Sequence, residues 1–317
     1  MRASLNTLQQ ETMAAQGSAA EVFGAFLKLG LTSFGGPIAH LGYFRTEFVE
    51  RRRWLDDRSY ADLVALCQFL PGPASSQVGM ALGLGRAGWW GLLAAWAGFT
   101  LPSAVALILF AFGIAQYQGL AQSGWVHGLK VVAVAIVAQA VWGMAKSLCP
   151  DRPRAALAML AALLTLALPS ATGQLVAIAT AGLLGWWTLK IAQPGGGQAH
   201  SYPVSRQLGG AALLLFAVPL IGLPLWAAAT GSSTVALLEG VYRAGALVFG
   251  GGHVVLPLLQ AAVVPEGLVS NADFLAGYGA AQAVPGPLFT FSAYLGAVAH
   301  GPLHGWVGGF ALLATIF

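Results

Sequence analysis

The sequence predicts an all-α polytopic membrane protein with inverted repeats and broken or re-entrant helices. Of its 317 residues, 57% are apolar and only 8% are charged, against about 25% charged residues in an ordinary soluble domain. Segments such as 208–229 carry no charge and reach the roughly 20 residues that a helix needs to cross the hydrocarbon of a bilayer. In addition, two motifs rich in glycine and proline each occur twice.

The repeat is visible in these two pairs of motifs. Residues 28–37, KLGLTSFGGP, align with 243–252, RAGALVFGGG, and residues 68–73, QFLPGP, align with 282–287, QAVPGP. The two offsets, 215 and 214, differ by one residue. Two matches at nearly the same spacing indicate a duplicated unit, and an inverted-repeat architecture with broken helices is typical of transporters.

The chain divides into five predicted segments. They are a polar N-terminal segment 1–20, a first repeat 21–192, a linker 193–207, an unpaired linking helix 208–230 and a second repeat 231–317. The second repeat is expected to be incomplete, because the part of the first repeat beyond about residue 103 has no counterpart. This leaves open a homo-oligomer, or a partner that supplies the missing helices.

The basic residues predict the orientation of the repeats. Five arginines lie between the motifs of the first repeat, at positions 45, 51, 52, 53 and 58, whereas residues 261–273 of the second repeat contain no lysine or arginine. By the positive-inside rule the first stretch is cytoplasmic and the second is not. The basic residues lie in short loops, so the lipid bilayer is the expected partner and nucleic acid is not.

Each Pro-Gly-Pro motif is expected to interrupt a helix, because proline removes a backbone donor and glycine permits unusual dihedrals. A helix that begins after such a break presents unpaired N–H groups and a partial positive charge. Hydroxyl groups follow both breaks. The pattern favours an anion site near the bilayer midplane, and a purely structural kink is the alternative.

Matching polar side chains extend this site. Lys28 and Arg243 occupy equivalent positions, and a cation in a membrane segment costs about 2.5–3.5 kcal/mol on insertion scales, which favours a role as counter-charge over snorkelling to the interface. Gln68 and Gln282 also match, with helix packing as the alternative. His40 and His253 are either proton carriers or packed polar residues.

The predicted substrate-binding set therefore draws on both repeats. It contains Lys28, Ser33, Gly35, Gly36, Gln68, Pro71, Gly72, Ser75 and Ser76 from the first repeat, and Arg243, Gly250, Gly251, His253, Gln282, Pro285, Gly286 and Thr290 from the second. The two cysteines, Cys67 and Cys149, have no metal-type spacing, and neither metal nor cofactor is expected. The sequence contains no nucleophile paired with a base, so we do not expect an enzyme.

These motifs resemble the chromate ion transporter (CHR) family. The likeness rests on residues 26–37, on Trp54-Leu55-Asp56, on the first Pro-Gly-Pro motif and on FGGGHVVLP at 249–257, and it covers essentially the whole chain. It implies a multi-pass inner-membrane protein that exports chromate and confers chromate resistance. A sulfate-type oxyanion carrier and a membrane-embedded subunit without transport activity are the alternatives.

Overall fold

In the computed structural model, the described residues are 17–116, 149–168, 171–189, 204–248 and 252–317, with isolated positions between 124 and 146. Every regular element in this part of the chain is helical. The α-helices are α1 Ala19–Thr32, α2 Gly36–Phe44, α3 Asp57–Phe69, α4 Ala74–Gln116, α5 Arg152–Ala167, α6 Ala171–Thr188, α7 Arg206–Thr230, α8 Ser233–Ala246, α9 Val255–Val263, α10 Asn271–Ala283, α11 Phe291–Val298 and α12 Gly305–Ile316.

The chain forms two compact units. Residues 134–198 make up one of them, in which α5 packs against α6. The other unit comprises residues 1–133 and 199–317, and it contains all the remaining α-helices. The predicted linker 193–207 and the polar segment 1–20 lie mostly outside the described residues.

The first two helices form a re-entrant hairpin. A π-helix, Arg45–Arg51, continues α2, and the Phe26 ring of α1 lies 5.5 Å from the ring of Phe44 and 4.8 Å from that of Phe48. Glu21, at the start of α1, lies 3.7 Å from Arg52, which follows the π-helix. The chain therefore enters and returns on the same side, with its turn between α1 and α2.

Helix α3 and the first half of α4 form a second hairpin. Its open end, where the chain enters and leaves the hairpin, lies on the same side as that of the first. Asp56 caps α3 by accepting hydrogen bonds from the hydroxyl and the backbone N–H of Ser59, which lower the pKa of the Asp56 carboxyl. At the end of the first half of α4, Arg86 lies 3.2 Å from Glu21 and 5.3 Å from the centre of the Trp54 ring. The open ends of both hairpins are therefore neighbours, and the Pro-Gly-Pro turn lies at the far end.

Helix α4 folds back on itself at Ala87 and Gly88, whose dihedrals are not helical. In a straight helix Gly83 and Gly91 would lie about 12 Å apart, yet a Cβ atom on Gly83 would collide with the Gly91 carbonyl oxygen. The second half of α4, from Trp89 onward, is long enough to cross the membrane. Its crossing carries the chain away from the open ends of the hairpins.

The second repeat has the same order of elements. Helices α8 and α9 correspond to α1 and α2, α10 corresponds to α3, and α11 and α12 correspond to the two halves of α4. The fold-back also recurs, because a Cβ atom on Gly296 would collide with the carbonyl oxygen of Gly308. The duplication predicted from the motifs thus extends to the helices that surround them.

The two repeats are inverted. Helix α12 runs antiparallel to the second half of α4, with ring centres 5.7 Å apart for Phe112 and Trp306 and 5.9 Å apart for Trp96 and Phe317. The second half of α4 starts at the open end of the first repeat and ends beside the start of α12. The start of α12 lies at the open end of the second repeat. The open ends therefore lie at opposite ends of the unit, and the predicted fold class is confirmed.

Two helices in the described part of the chain are long and apolar enough to cross a membrane, Ala74–Ile114 and Arg206–Thr230. The first of these lies within α4 and includes its fold-back. The second is α7, in the place of the predicted linking helix, and it has no buried residue. Its contact with the second repeat includes a hydrogen bond from the Tyr242 hydroxyl to the Phe216 carbonyl oxygen, at 2.6 Å.

The inverted arrangement predicts opposite accessibility of the two open ends. Single cysteines at Glu50 and at Glu266, in a chain with Cys67→Ala and Cys149→Ser, should react with a membrane-impermeant maleimide from opposite sides of sealed vesicles. Reaction of both cysteines from the same side would mean that the repeats are parallel.

Candidate functional site

The turns of the four hairpins, two from each repeat, meet through two equivalent hydrogen bonds. The N–H of Gly72 donates to the carbonyl oxygen of Val248 at 2.7 Å, and the N–H of Gly286 donates to the carbonyl oxygen of Ser33 at 3.0 Å. Gly72 and Gly286 are equivalent in the two repeats, and so are Ser33 and Val248. Each Pro-Gly-Pro turn is therefore bound to the first turn of the other repeat.

The two central glycines are needed for this geometry. Gly72 has φ +112° and Gly286 has φ +104°, both in the region that side chains rarely adopt. A Cβ atom on Gly286 would also lie 2.7 Å from the Ser103 Oγ and 3.2 Å from the Phe99 carbonyl oxygen. The sequence prediction that these turns need glycine thus has a steric explanation.

Three buried polar side chains surround the turns of the first repeat. Ser33, His40 and Ser76 are 0%, 1% and 2% exposed. Among the described residues, none accepts or donates a hydrogen bond with the Ser33 or Ser76 hydroxyl. Neither ring nitrogen of His40 has a partner in good hydrogen-bond geometry, although the ring lies near the Ser33 backbone. Buried polar groups without partners are costly, so their presence here indicates a place for a polar ligand or water.

An aromatic layer fixes the position of two of these groups. The Phe99 ring lies 5.0 Å from that of Phe44 and 5.2 Å from that of His40, and Gly79 of α4 faces Phe44. His40 precedes Phe44 by four residues and Ser76 precedes Gly79 by three, spacings that place residues on one face of a helix. His40 and Ser76 therefore lie one turn closer to the hairpin turns than the aromatic layer.

The hydroxyls that follow the Pro-Gly-Pro turn of the second repeat are already engaged. Thr290 donates to the Pro287 carbonyl oxygen at 2.7 Å, and Ser292 donates to the Phe289 carbonyl oxygen at 2.9 Å. Val248 stands in the place of Ser33. The motifs are symmetric in sequence, but the unpaired hydroxyls beside the turns belong to the first repeat.

The two predicted counter-charges are each paired with a carboxylate. Lys28 Nζ lies 3.4 Å from Glu47 Oε2, and Arg243 Nε lies 3.2 Å from Glu239 Oε1. The two basic side chains are 50% and 46% exposed. In this conformation both cations interact with acids of their own repeat.

The other predicted residues have varied surroundings. Gly35 and Gly36 form the turn before α2, Pro71 and Pro285 are partly buried in the Pro-Gly-Pro turns, Ser75 is buried, Gln68 is exposed, and Gln282 is partly buried. Gly250, Gly251 and the side chain of His253 lie outside the described residues.

Two residues of the site were not predicted from the sequence. Gln77 donates from Nε2 to the Pro71 carbonyl oxygen at 2.7 Å and so fixes the Pro-Gly-Pro turn. Thr100 is 0% exposed and its hydroxyl has no partner among the residues described. Thr100 and Ser103 are the two hydroxyl residues of an otherwise apolar segment, and this is the signal that the sequence offers for Thr100.

Comparison with known proteins gives consistent matches. The family model described as "Chromate transporter" matches residues 20–186 and 235–317. The chain is 28% identical to the "Chromate transport protein" of Pseudomonas aeruginosa, covering 94% of this chain and 70% of that protein. It is 27% identical to the "Chromate transport protein" of Cupriavidus metallidurans, covering 86% and 65% respectively.

A third relative is archaeal. The "Uncharacterized transporter MJ0718" of Methanocaldococcus jannaschii is 26% identical over 94% of this chain and 72% of that protein. No solved structure matches the chain.

The turn geometry predicts unequal effects of two glycine substitutions. Gly286→Ala should lower the free energy of unfolding by about 2 kcal/mol or more, because it adds a close contact to an unfavourable φ. Gly267→Ala, with φ +69° in open space, should cost about 1 kcal/mol from the backbone alone. The two values can be compared by denaturant titration in micelles, and equal losses would contradict the contact at the turn.

Proposed function

This chain belongs to the chromate transporter family, and from that premise we propose that it carries chromate across the inner membrane by secondary transport, in the outward direction, and thereby confers chromate resistance. The observation that carries the proposal is the group of buried, unpaired polar side chains where turns of inverted repeats meet. Inverted repeats with a site at their interface are how many secondary transporters alternate access to a substrate.

The proposed site suits a tetrahedral oxyanion. Chromate is largely a dianion near neutral pH, so its transfer into a membrane requires donors and compensating charge. The hydroxyls of Ser33 and Ser76 are donors without partners in the part of the chain described, and the His40 ring adds an N–H group beside them. The first N–H groups of α4 add to them, because Gln77 is the first residue of this helix whose N–H bonds back, to Pro73.

The remaining predicted residues have supporting roles in this proposal. Pro71, Gly72, Pro285 and Gly286 shape the turns, and Gly35 and Gly36 allow close backbone approach. Ser75, Thr290, Gln68 and Gln282 line the approaches. The roles of Gly250, Gly251 and His253 remain predictions from the sequence. Lys28 and Arg243 supply positive charge when they exchange their carboxylate partners for the anion.

The membrane potential favours the outward direction. An interior that is negative expels an anion by about 2.3 kcal/mol per charge for each 100 mV. The chain contains no plausible ATP-binding motif, so an electrochemical gradient is the proposed energy source.

Chromate accumulation tests the function directly. Cells that express the chain should hold less chromate than cells with the empty vector, and excess sulfate should reduce the difference if the site accepts both oxyanions. Higher chromate in the expressing cells would mean import instead of export. Equal accumulation, with the protein verified in the membrane, would contradict transport and favour the alternative of a subunit without transport activity.

Substitution of two buried serines tests the site. Ser76→Ala removes an unpaired donor and should raise the KM for chromate by about 2- to 10-fold, the equivalent of one neutral hydrogen bond. Ser292→Ala removes a hydroxyl that is equally buried but already donates to Phe289, and should leave KM close to that of the parent chain. Equal KM values for both variants in proteoliposomes would exclude Ser76 from the site.

A further inference from the structure

The open end of the first repeat carries a dense group of charges, which we call the mouth cluster and define as Glu21, Lys28, Glu47, Arg51, Arg52 and Arg86. Arg86, at the end of the second hairpin, lies 3.2 Å from Glu21, and Arg52, at the end of the first hairpin, lies 3.7 Å from it. Four cations in the cluster face two carboxylates. Two formal positive charges therefore remain, which equals in magnitude the charge of a tetrahedral dianion such as chromate or sulfate.

Glu47 is the centre of the mouth cluster. Its side chain is only 6% exposed, and its carboxylate oxygens lie 2.7 Å from Arg52 Nε, 3.2 Å from Arg51 Nη1 and 3.4 Å from Lys28 Nζ. One carboxylate thus accepts hydrogen bonds from three cationic side chains. A tetrahedral oxyanion has the same type of acceptor and twice the charge, so it can compete for these donors.

The backbone around Glu47 is unusual. Glu47 lies in the seven-residue π-helix, a conformation that is rare and frequently marks functional sites. Arg53 follows with φ +52°, and it is the one residue other than glycine with positive φ in the part of the chain described. Strained backbone of this kind persists where the surroundings enforce it and is concentrated at ligand clamps and switches.

An aromatic side chain holds the arginines in place. Trp54 stacks on Phe48 with ring centres 4.5 Å apart. The guanidinium groups of Arg52 and Arg86 lie 5.7 and 5.3 Å from the centre of the Trp54 ring. Two cations are thereby kept close together although they repel, which preorganises the positive charge.

The open end of the second repeat carries different polar interactions. The interactions described there include an amide pair, Gln260 with Asn271 at 3.0 Å, and a cap in which Ser270 donates to Asp273 at 2.6 Å. The ion pair of Arg243 with Glu239 lies within a single helix. The concentration of arginines is thus a property of the first repeat, on the face that the positive-inside rule assigns to the cytoplasm.

We propose that the mouth cluster is an entry site for a tetrahedral dianion, and that Glu47 occupies this site in place of the anion when it is empty. The proposal rests on the function proposed above and adds a second binding position to it. The anion displaces Glu47 from Lys28, Arg51 and Arg52. Lys28 precedes Ser33 by five residues on α1, which corresponds to about 7.5 Å along the helix, so it links the entry site to the turns.

A purely structural cluster would behave differently. If the ion pairs only hold the two hairpins together, removal of the Glu47 charge weakens the fold and brings no gain in substrate affinity. If Glu47 competes with the anion, its neutralisation frees three donors and increases affinity. The direction of the change in KM therefore separates the two roles.

The experiment measures chromate and sulfate transport in proteoliposomes at low ionic strength. Glu47→Gln should lower the KM by about 3- to 10-fold, and Arg51→Gln should raise it by a similar factor with little change in maximal rate. Glu50→Gln is the matched control, because Glu50 lies in the same π-helix, is 51% exposed and pairs with Arg45 outside the mouth cluster. Added chloride salt should reduce the differences between variants.

The outcomes are distinct. An unchanged or higher KM in folded Glu47→Gln would overturn the entry site, and so would an Arg51→Gln KM equal to that of Glu50→Gln. If Glu47→Gln does not fold, the comparison of Arg51→Gln with Glu50→Gln decides. Failure of the parent chain to transport either oxyanion would contradict the proposed function itself. In that case, protection of Arg51 from phenylglyoxal by sulfate in the purified protein tests the entry site, and absence of protection overturns it.

Discussion

The whole arrangement depends on how backbone groups are satisfied where a helix turns back inside hydrocarbon. Such a turn leaves N–H and carbonyl groups that lipid cannot solvate. The structure resolves this by pairing turns from opposite sides, so that Gly72 donates to Val248 and Gly286 donates to Ser33. The inverted arrangement therefore gives each Pro-Gly-Pro turn a backbone partner from the other repeat.

The same pairing concentrates polar groups at one place. The turns bring the Ser33, His40 and Ser76 side chains next to helix ends, beside the aromatic layer of Phe44 and Phe99. The second repeat contributes backbone groups and the Gln282 amide there, whereas its hydroxyls Thr290 and Ser292 donate to their own chain. A pseudo-symmetric scaffold thus carries a site to which the two repeats contribute unequally, because the unpaired hydroxyls beside the turns, Ser33 and Ser76, belong to the first repeat.

Much of this could be predicted from the sequence, because the constraints involved are local. Proline and glycine disrupt helices wherever they occur, and the counts of arginine set the orientation. What depends on distant contacts could not be predicted. The sequence predicts Lys28 as a counter-charge for the anion, but it does not reveal that Glu47, nineteen residues away across the first turn, pairs with it. The amino-acid composition of residues 45–51 does not predict the π-helix that brings Glu47 into position. The hydroxyl residues after each Pro-Gly-Pro motif likewise do not reveal which of them already donate hydrogen bonds to the backbone.

The contact between turns from opposite repeats is the central claim, and cross-linking tests it most directly. Cysteines at Ser33 and at Pro285, beside Gly286, should be joined in high yield by a short bifunctional methanethiosulfonate in membranes. Cysteines at Ser33 and Glu266, at the open end of the second repeat, should not be joined. Absence of the first product in protein that is correctly inserted, with both thiols reactive, would show that the turns do not meet and would contradict this account.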